Sequence, residues 1–182
     1  MGLLVVRVVV GALIAGHGLQ KVAGWFGGPG VNGHAEALRS LGYRRPRTLS
    51  WVHGVAETAG GVLLAVGLLT PLAAAAILAV MLNAAVVVHA RNGLWVQQGG
   101  YEYPLVLAAL SAGIALTGPG AFALDAITGW DLTGVWAAAG IIGGLAVGAA
   151  VLAVRQQPQP ADQHGSERQD PSERPGTPAH AA

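Results

Sequence analysis

Apolar residues gather into five long runs along this chain: Leu3 to Gln20, Val52 to Leu69, Leu72 to His89, Tyr103 to Thr117 and Gly134 to Val154. Each approaches the roughly 20 residues that an α-helix needs to cross the hydrocarbon of a bilayer. The pattern predicts an all-α polytopic membrane helix bundle, with four spans forming a core and a fifth transmembrane helix at its C-terminal side. The first run reads as a retained helix and not a signal peptide, because no basic segment precedes it and Arg7 interrupts it. Only Thr70-Pro71 separates the second and third runs. That predicts a tight helical hairpin with proline in the first turn of the new helix. The fourth run, about 15 residues, is short and needs Gln97–Glu102 or a locally thin bilayer to cross fully.

The polar positions inside these runs are as patterned as the apolar ones. His17 and Lys21 lie four apart near the end of the first run, and His53 and Glu57 four apart near the start of the second. Residues at that spacing share a helix face. His89 closes the third run and Glu102 opens the fourth. Up-down topology brings all of these ends to one membrane face. Ionisable groups in lipid are costly and mark function by default. His17, Lys21, Glu57, His89 and Glu102 are therefore the candidates for a reactive site, with Lys21 orienting Glu57 and either Glu57 or His17 exchanging protons. His17, His53 and His89 are the candidates for holding a cofactor. Two imidazoles from different helices are a haem ligand set in principle, yet no spacing signature supports haem, and the same lone pairs suit a quinone carbonyl. The competing explanation is that the cluster glues helices together through interhelical hydrogen bonds, which is the expected role of Asn83 deeper in the third run.

Composition narrows the picture. The chain has 182 residues, 53% hydrophobic and 10% charged, with a formal net charge of +1. Near-neutrality gives no electrostatic case for nucleic-acid binding. There are no cysteines, which removes thiolate metal sites, disulfide relays and cysteine nucleophiles, and no other metal-ligand spacing is present. The Ala, Gly, Val and Arg bias with little Lys is typical of high-GC bacterial genomes. Lys21, Arg39, Arg44, Arg45 and Arg47 sit in the first loop region, Arg91 in the third and Arg155 after the fifth run, whereas the fourth loop has only Asp125 and Asp131. The excess of basic loops on one side predicts a plasma-membrane protein with its N-terminus outside and its C-terminus in the cytoplasm. Arg7 would then snorkel at the outer face or meet Asp125.

The first loop is Gly-rich from Gly24 to Gly33 but lacks the Lys-Ser/Thr of a phosphate-binding loop. Residues His34 to Gly42 suit a short surface helix with Leu38 and Leu41 turned to lipid. Arg44, Arg45 and Arg47 suit lipid headgroups. Trp25, Phe26, Trp51 and Trp95 form an interfacial aromatic belt. Gly140, Gly144 and Gly148 repeat every four residues on the fifth run, a pattern that permits close contact with a second copy of the chain. The tail, 155–182, is rich in Pro, Gln, Ser, Glu and Asp and is expected to be disordered in the cytoplasm.

Ordered patches of the sequence resemble the DoxX family of bacterial membrane proteins. They are Arg7 with Val10-Gly11 and His17-Gly18-Leu19-Gln20-Lys21; Glu57 with Gly60-Gly61 and Gly67-Leu68-Leu69-Thr70; His89 with Gly93, Trp95 and Gly99-Gly100-Tyr101-Glu102-Tyr103-Pro104; and Gly118-Pro119-Gly120 with Leu124-Asp125. The resemblance implies a four-helix DoxX-like core over 1–133, to which 134–154 adds a helix. It further implies a relation to the DoxD subunit of thiosulfate–quinone oxidoreductase. A place in a membrane redox or oxidative-stress complex follows, with superoxide dismutase and a sulfurtransferase as soluble partners. Two other functions fit the same residues: a non-catalytic scaffold whose basic loop recruits soluble enzymes, and a small-solute or proton pathway with Glu57 as relay.

Overall fold

Lipid leaves the backbone no partner but itself, so a chain with these apolar runs must build helices. The computed structural model describes residues 1–155, and within them every regular element is helical. In chain order the α-helices are α1 Gly2–Val22, α2 Gly30–Ser40, α3 Pro46–Val66, α4 Thr70–Asn83, α5 Glu102–Thr117, α6 Leu124–Thr128 and α7 Val135–Ala153, with short 3₁₀ turns at Trp25–Gly27 and Val96–Gln98. The expected tail lies outside the described residues, apart from Arg155. Beyond Asn83, α4 continues as a π-helical segment, Ala84–His89, and a 3₁₀ turn, so the third span runs over 23 residues, Thr70–Asn92. α1, α3, this extended α4 and α7 are long and apolar enough to cross a membrane; α5, at 16 residues, is the short one.

α1 packs most closely on α3, and α4 is the hub, touching α3, α5 and α7. The core is apolar: Ile14 of α1, Leu64 of α3, Ile77 and Val80 of α4, and Leu107 and Ile114 of α5. Small residues set the helix spacing. A Cβ on Gly11 would strike the Gly61 carbonyl, and one on Gly54 would strike Val22 and approach Lys21. Outward faces carry exposed Val and Leu, as a surface in hydrocarbon requires.

Two expectations change here. Gly140, Gly144 and Gly148 do not offer a stripe to a second copy: a Cβ on them would meet the backbone of Pro71, Ala75 and Ala79 of α4 in the same chain. Spacing alone identifies a close-contact face but not its partner. Leu38, expected to face lipid, is buried, and α2 lies across one end of the bundle against α3 and α1.

At the opposite end Arg7 neither snorkels nor pairs directly with Asp125. It is buried, and its guanidinium donates to the carbonyls of Ala65 (3.0 Å), Pro119 (2.5 Å) and Phe122 (2.7 Å). Asp125, on the short helix α6, accepts from Leu69 N–H (2.8 Å), Thr70 N–H (3.0 Å) and the Thr70 hydroxyl (2.7 Å). These bonds cap the start of α4 and hold the α3–α4 turn, where Gly67 and Leu69 both take left-handed backbone (φ 67° and 48°). Glycine accepts that conformation freely; Leu69 does not.

Candidate functional site

The close approach of α1 and α3 at Gly18 and Gly54 sets the chemistry one turn further on. Lys21, in the last turn of α1, reaches Glu57 of α3 with Nζ–Oε2 2.5 Å, the two side chains 20% and 2% exposed. Apart from that ammonium, Glu57 Oε2 has no hydrogen-bond partner. The pair lies on the wall of a cavity of about 480 Å³, lined otherwise mainly by aliphatic side chains such as Ile14, Leu38, Val80, Met81 and Leu107. That volume falls within the roughly 300–1,000 Å³ of small-molecule sites.

Four histidines share this wall: His17, His34, His53 and His89. In three the tautomer follows from the neighbours. His17 Nδ1 is 2.8 Å from the Leu13 carbonyl and His89 Nδ1 is 2.7 Å from that of Gly99. Carbonyls only accept, so Nδ1 carries the proton in each. Ser50 donates its hydroxyl to Val31 O (3.2 Å), so His34 Nδ1, 3.1 Å from Ser50 Oγ, donates as well. All three leave Nε2 as the basic nitrogen when neutral. Burial, and then the charge of Lys21, lowers His34 to about 4, so the imidazole on α2, the helix that lids the cavity, is neutral near pH 7. His53 is 7% exposed, stands 5.9 Å from the His34 ring and makes no hydrogen bond to a described residue. The His17 ring tilts against Tyr103 at 5.5 Å. Among the described residues no group of three or more His, Asp or Glu is arranged to hold a metal ion.

The roof of the cavity is α2, with Leu38 and Leu41 turned inward. Tyr43 ties it down: burial pushes its phenol up in pKa, and it donates to Asn83 Oδ1 at 2.9 Å. Asn83 Nδ2 in turn donates to Ala79 O (2.9 Å) and Gly148 O on α7 (3.0 Å). Arg155 donates to the Leu41 carbonyl. The lid, the hub helix and the last helix are thus fastened at one point. The π segment adds a wider turn of backbone beside them, a feature common at functional sites, and carries His89 and Val88 on the cavity wall.

His17, Lys21, His53, Glu57 and His89 therefore come together. Glu102 does not. Its carboxylate accepts the Val96 N–H at 3.0 Å and closes the loop before α5, where an acidic residue in the first turn also suits the helix dipole. His34, Tyr43, Tyr103 and the full bonding of Asn83 were not anticipated. A signal for His34 existed: it lies four residues before Leu38 and seven before Leu41, on one helical face.

These features define a multi-pass helical membrane protein with a lidded, mostly apolar cavity holding one buried ion pair. Residues 2–90 match the DoxX family model, so that stretch of the chain is a DoxX-type membrane domain. The matched stretch takes in α1 to α4 and the π segment; α5, α6 and α7 follow it. No curated protein and no solved structure matches the chain.

Proposed function

We propose that this protein is a redox-associated subunit of the bacterial plasma membrane that binds a quinone-class ligand in the cavity beside Lys21 and Glu57. The observation that carries this reading is the buried ion pair on an apolar cavity wall. Buried pairs seldom repay their desolvation as stability, and apolar replacements are often neutral or better. A pair retained there is better explained by a ligand. Lys21 offers an ammonium donor to a carbonyl oxygen, and the basic Nε2 atoms of His17 and His89 accept from a hydroxyl, so oxidised and reduced heads both find partners. A quinone supplies two-electron, two-proton carriage; the electrons would come from a soluble partner oxidoreductase. The basic loops favour placing this end, with Arg44, Arg45 and Arg47 exposed, at the cytoplasmic face. The superoxide dismutase and sulfurtransferase partners implied by the resemblance, and the DoxD relation, belong to the same proposal.

The same exposed arginines support a second reading, a scaffold that recruits soluble redox enzymes without binding a ligand itself. Mass spectrometry of a solvent extract of the protein in mild detergent separates the two, with Glu57→Gln prepared identically. A quinone near one per protein, lost in the variant, is the expected result. No bound molecule in either sample, and no saturable binding when quinone is added back, would leave the scaffold.

A further inference from the structure

α3 and α7 both pack on α4 but barely touch each other. Between them runs a groove of about 250 Å³, floored by Ala75, Ala76 and Ala79 and edged by Gly143 and Val147 of α7. Val52 and Val147 on its rims are half exposed, so it opens sideways to lipid. It is smaller than the roughly 300 Å³ at which whole-ligand pockets begin, and almost everything lining it is hydrocarbon.

The groove and the cavity share wall residues: His53, Val80 and Asn83. Val80 is apolar, and Asn83 is spent on Tyr43, Ala79 and Gly148. His53 alone is unspent, more than nine-tenths buried and without a hydrogen-bond partner among the described residues. A polar group left so in an apolar setting costs free energy until something bonds it. We infer that the groove receives the hydrocarbon chain of the ligand whose head occupies the cavity, and that His53 bonds the head where the chain leaves it. This rests on the ligand reading above and adds its class: a membrane lipid with a polar, hydrogen-bonding head and a linear apolar chain, admitted laterally. The outer wall of this chain subsite comes from α7, which lies beyond the part that matches the family.

Gly143 makes the test clean. A Cβ there meets nothing within 4 Å, so Gly143→Leu adds bulk at the groove's edge from a Cβ clear of its neighbours, and leucine suits a helix better than glycine. The full chain in lipid nanodiscs is titrated with a chainless benzoquinone and with its decyl-substituted counterpart, following saturable quenching of tryptophan fluorescence. Partitioning into the bilayer is common to both proteins and cancels in the comparison. Gly143→Leu is expected to weaken the decyl compound by roughly tenfold while moving the chainless one by less than about twofold; Gly143→Ala falls between. His53→Leu is expected to weaken both. Equal effects on the two compounds, or none, from Gly143→Leu would overturn the groove and leave the cavity reading standing. A wild-type dimer that Gly143→Leu dissociates would assign the groove to a helix of a second copy instead. Failure of wild type to bind either compound would remove the ligand reading, and the groove with it.

Discussion

The two ends of the bundle bury charge in opposite ways. At one, Arg7 spends its guanidinium on three carbonyls and Asp125 spends its carboxylate on three donors, all within 3.0 Å. At the other, Glu57 Oε2 has one partner, three histidines each use one nitrogen, and His53 uses none. Saturated bonding around a buried charge fixes a shape, because every departure leaves an orphan. Unsaturated bonding beside a cavity leaves capacity for something else. The first end is architecture; the second has the free bonding capacity on which the proposed ligand reading rests.

The sharpest way to break that contrast is Arg7→Ala. It orphans three carbonyls and is expected to cost about 3–5 kcal/mol, read as a large fall in the thermal midpoint in detergent. A drop no greater than that of variants at the Lys21 end would end the distinction. There the double variant Lys21→Met with Glu57→Gln is expected to change stability by less than about 1 kcal/mol, while abolishing saturable quinone binding. A smaller effect concerns pH. His34 has a folded pKa near 4 against an ordinary 6.5, so the unfolded or undocked lid binds the extra proton more readily. Its contribution to docking is complete above about pH 6.5 and is lost as pH falls toward 4. His34 faces Ser50, His53 and Lys21, and its burial together with the Lys21 ammonium disfavours the charge. The protection of the α2 amides, taken relative to the intrinsic exchange rate at each pH, should therefore fall across that window, and His34→Gln should flatten the response.

How much of this could be read from the chain follows from the same physics. The spans and the Thr70-Pro71 hairpin were legible because lipid enforces long apolar helices. The meeting of Lys21 with Glu57 was legible too: two i,i+4 pairs at adjacent ends of antiparallel neighbours have little choice. Glu102 was not, since a carboxylate in the first turn of a helix can turn back to its own loop as easily as inward. The outward reading of Leu38 failed because amphipathicity names an apolar face without saying whether lipid or protein covers it. Tyr43 to Asn83 spans 40 residues and Asn83 to Gly148 spans 65; contacts at such separation leave no local pattern. Arg7 and Asp125 were correctly placed at one end, yet their bonds go mainly to backbone, which sequence does not distinguish.

The fastening of Asn83 to Gly148 also has a consequence in time. Chains are made from the N-terminus at roughly 5–20 residues per second. The 65 residues between those two partners therefore take roughly 3–13 s to follow Asn83 out of the ribosome. Through that interval every newborn molecule holds its hub helix without the last anchor, and the lid without the Arg155 tie. The arrival of the final helix is therefore a late step that fastens hub and lid together, and a chain stopped before Gly148 would leave the roof of the cavity less firmly held than it is in the finished protein.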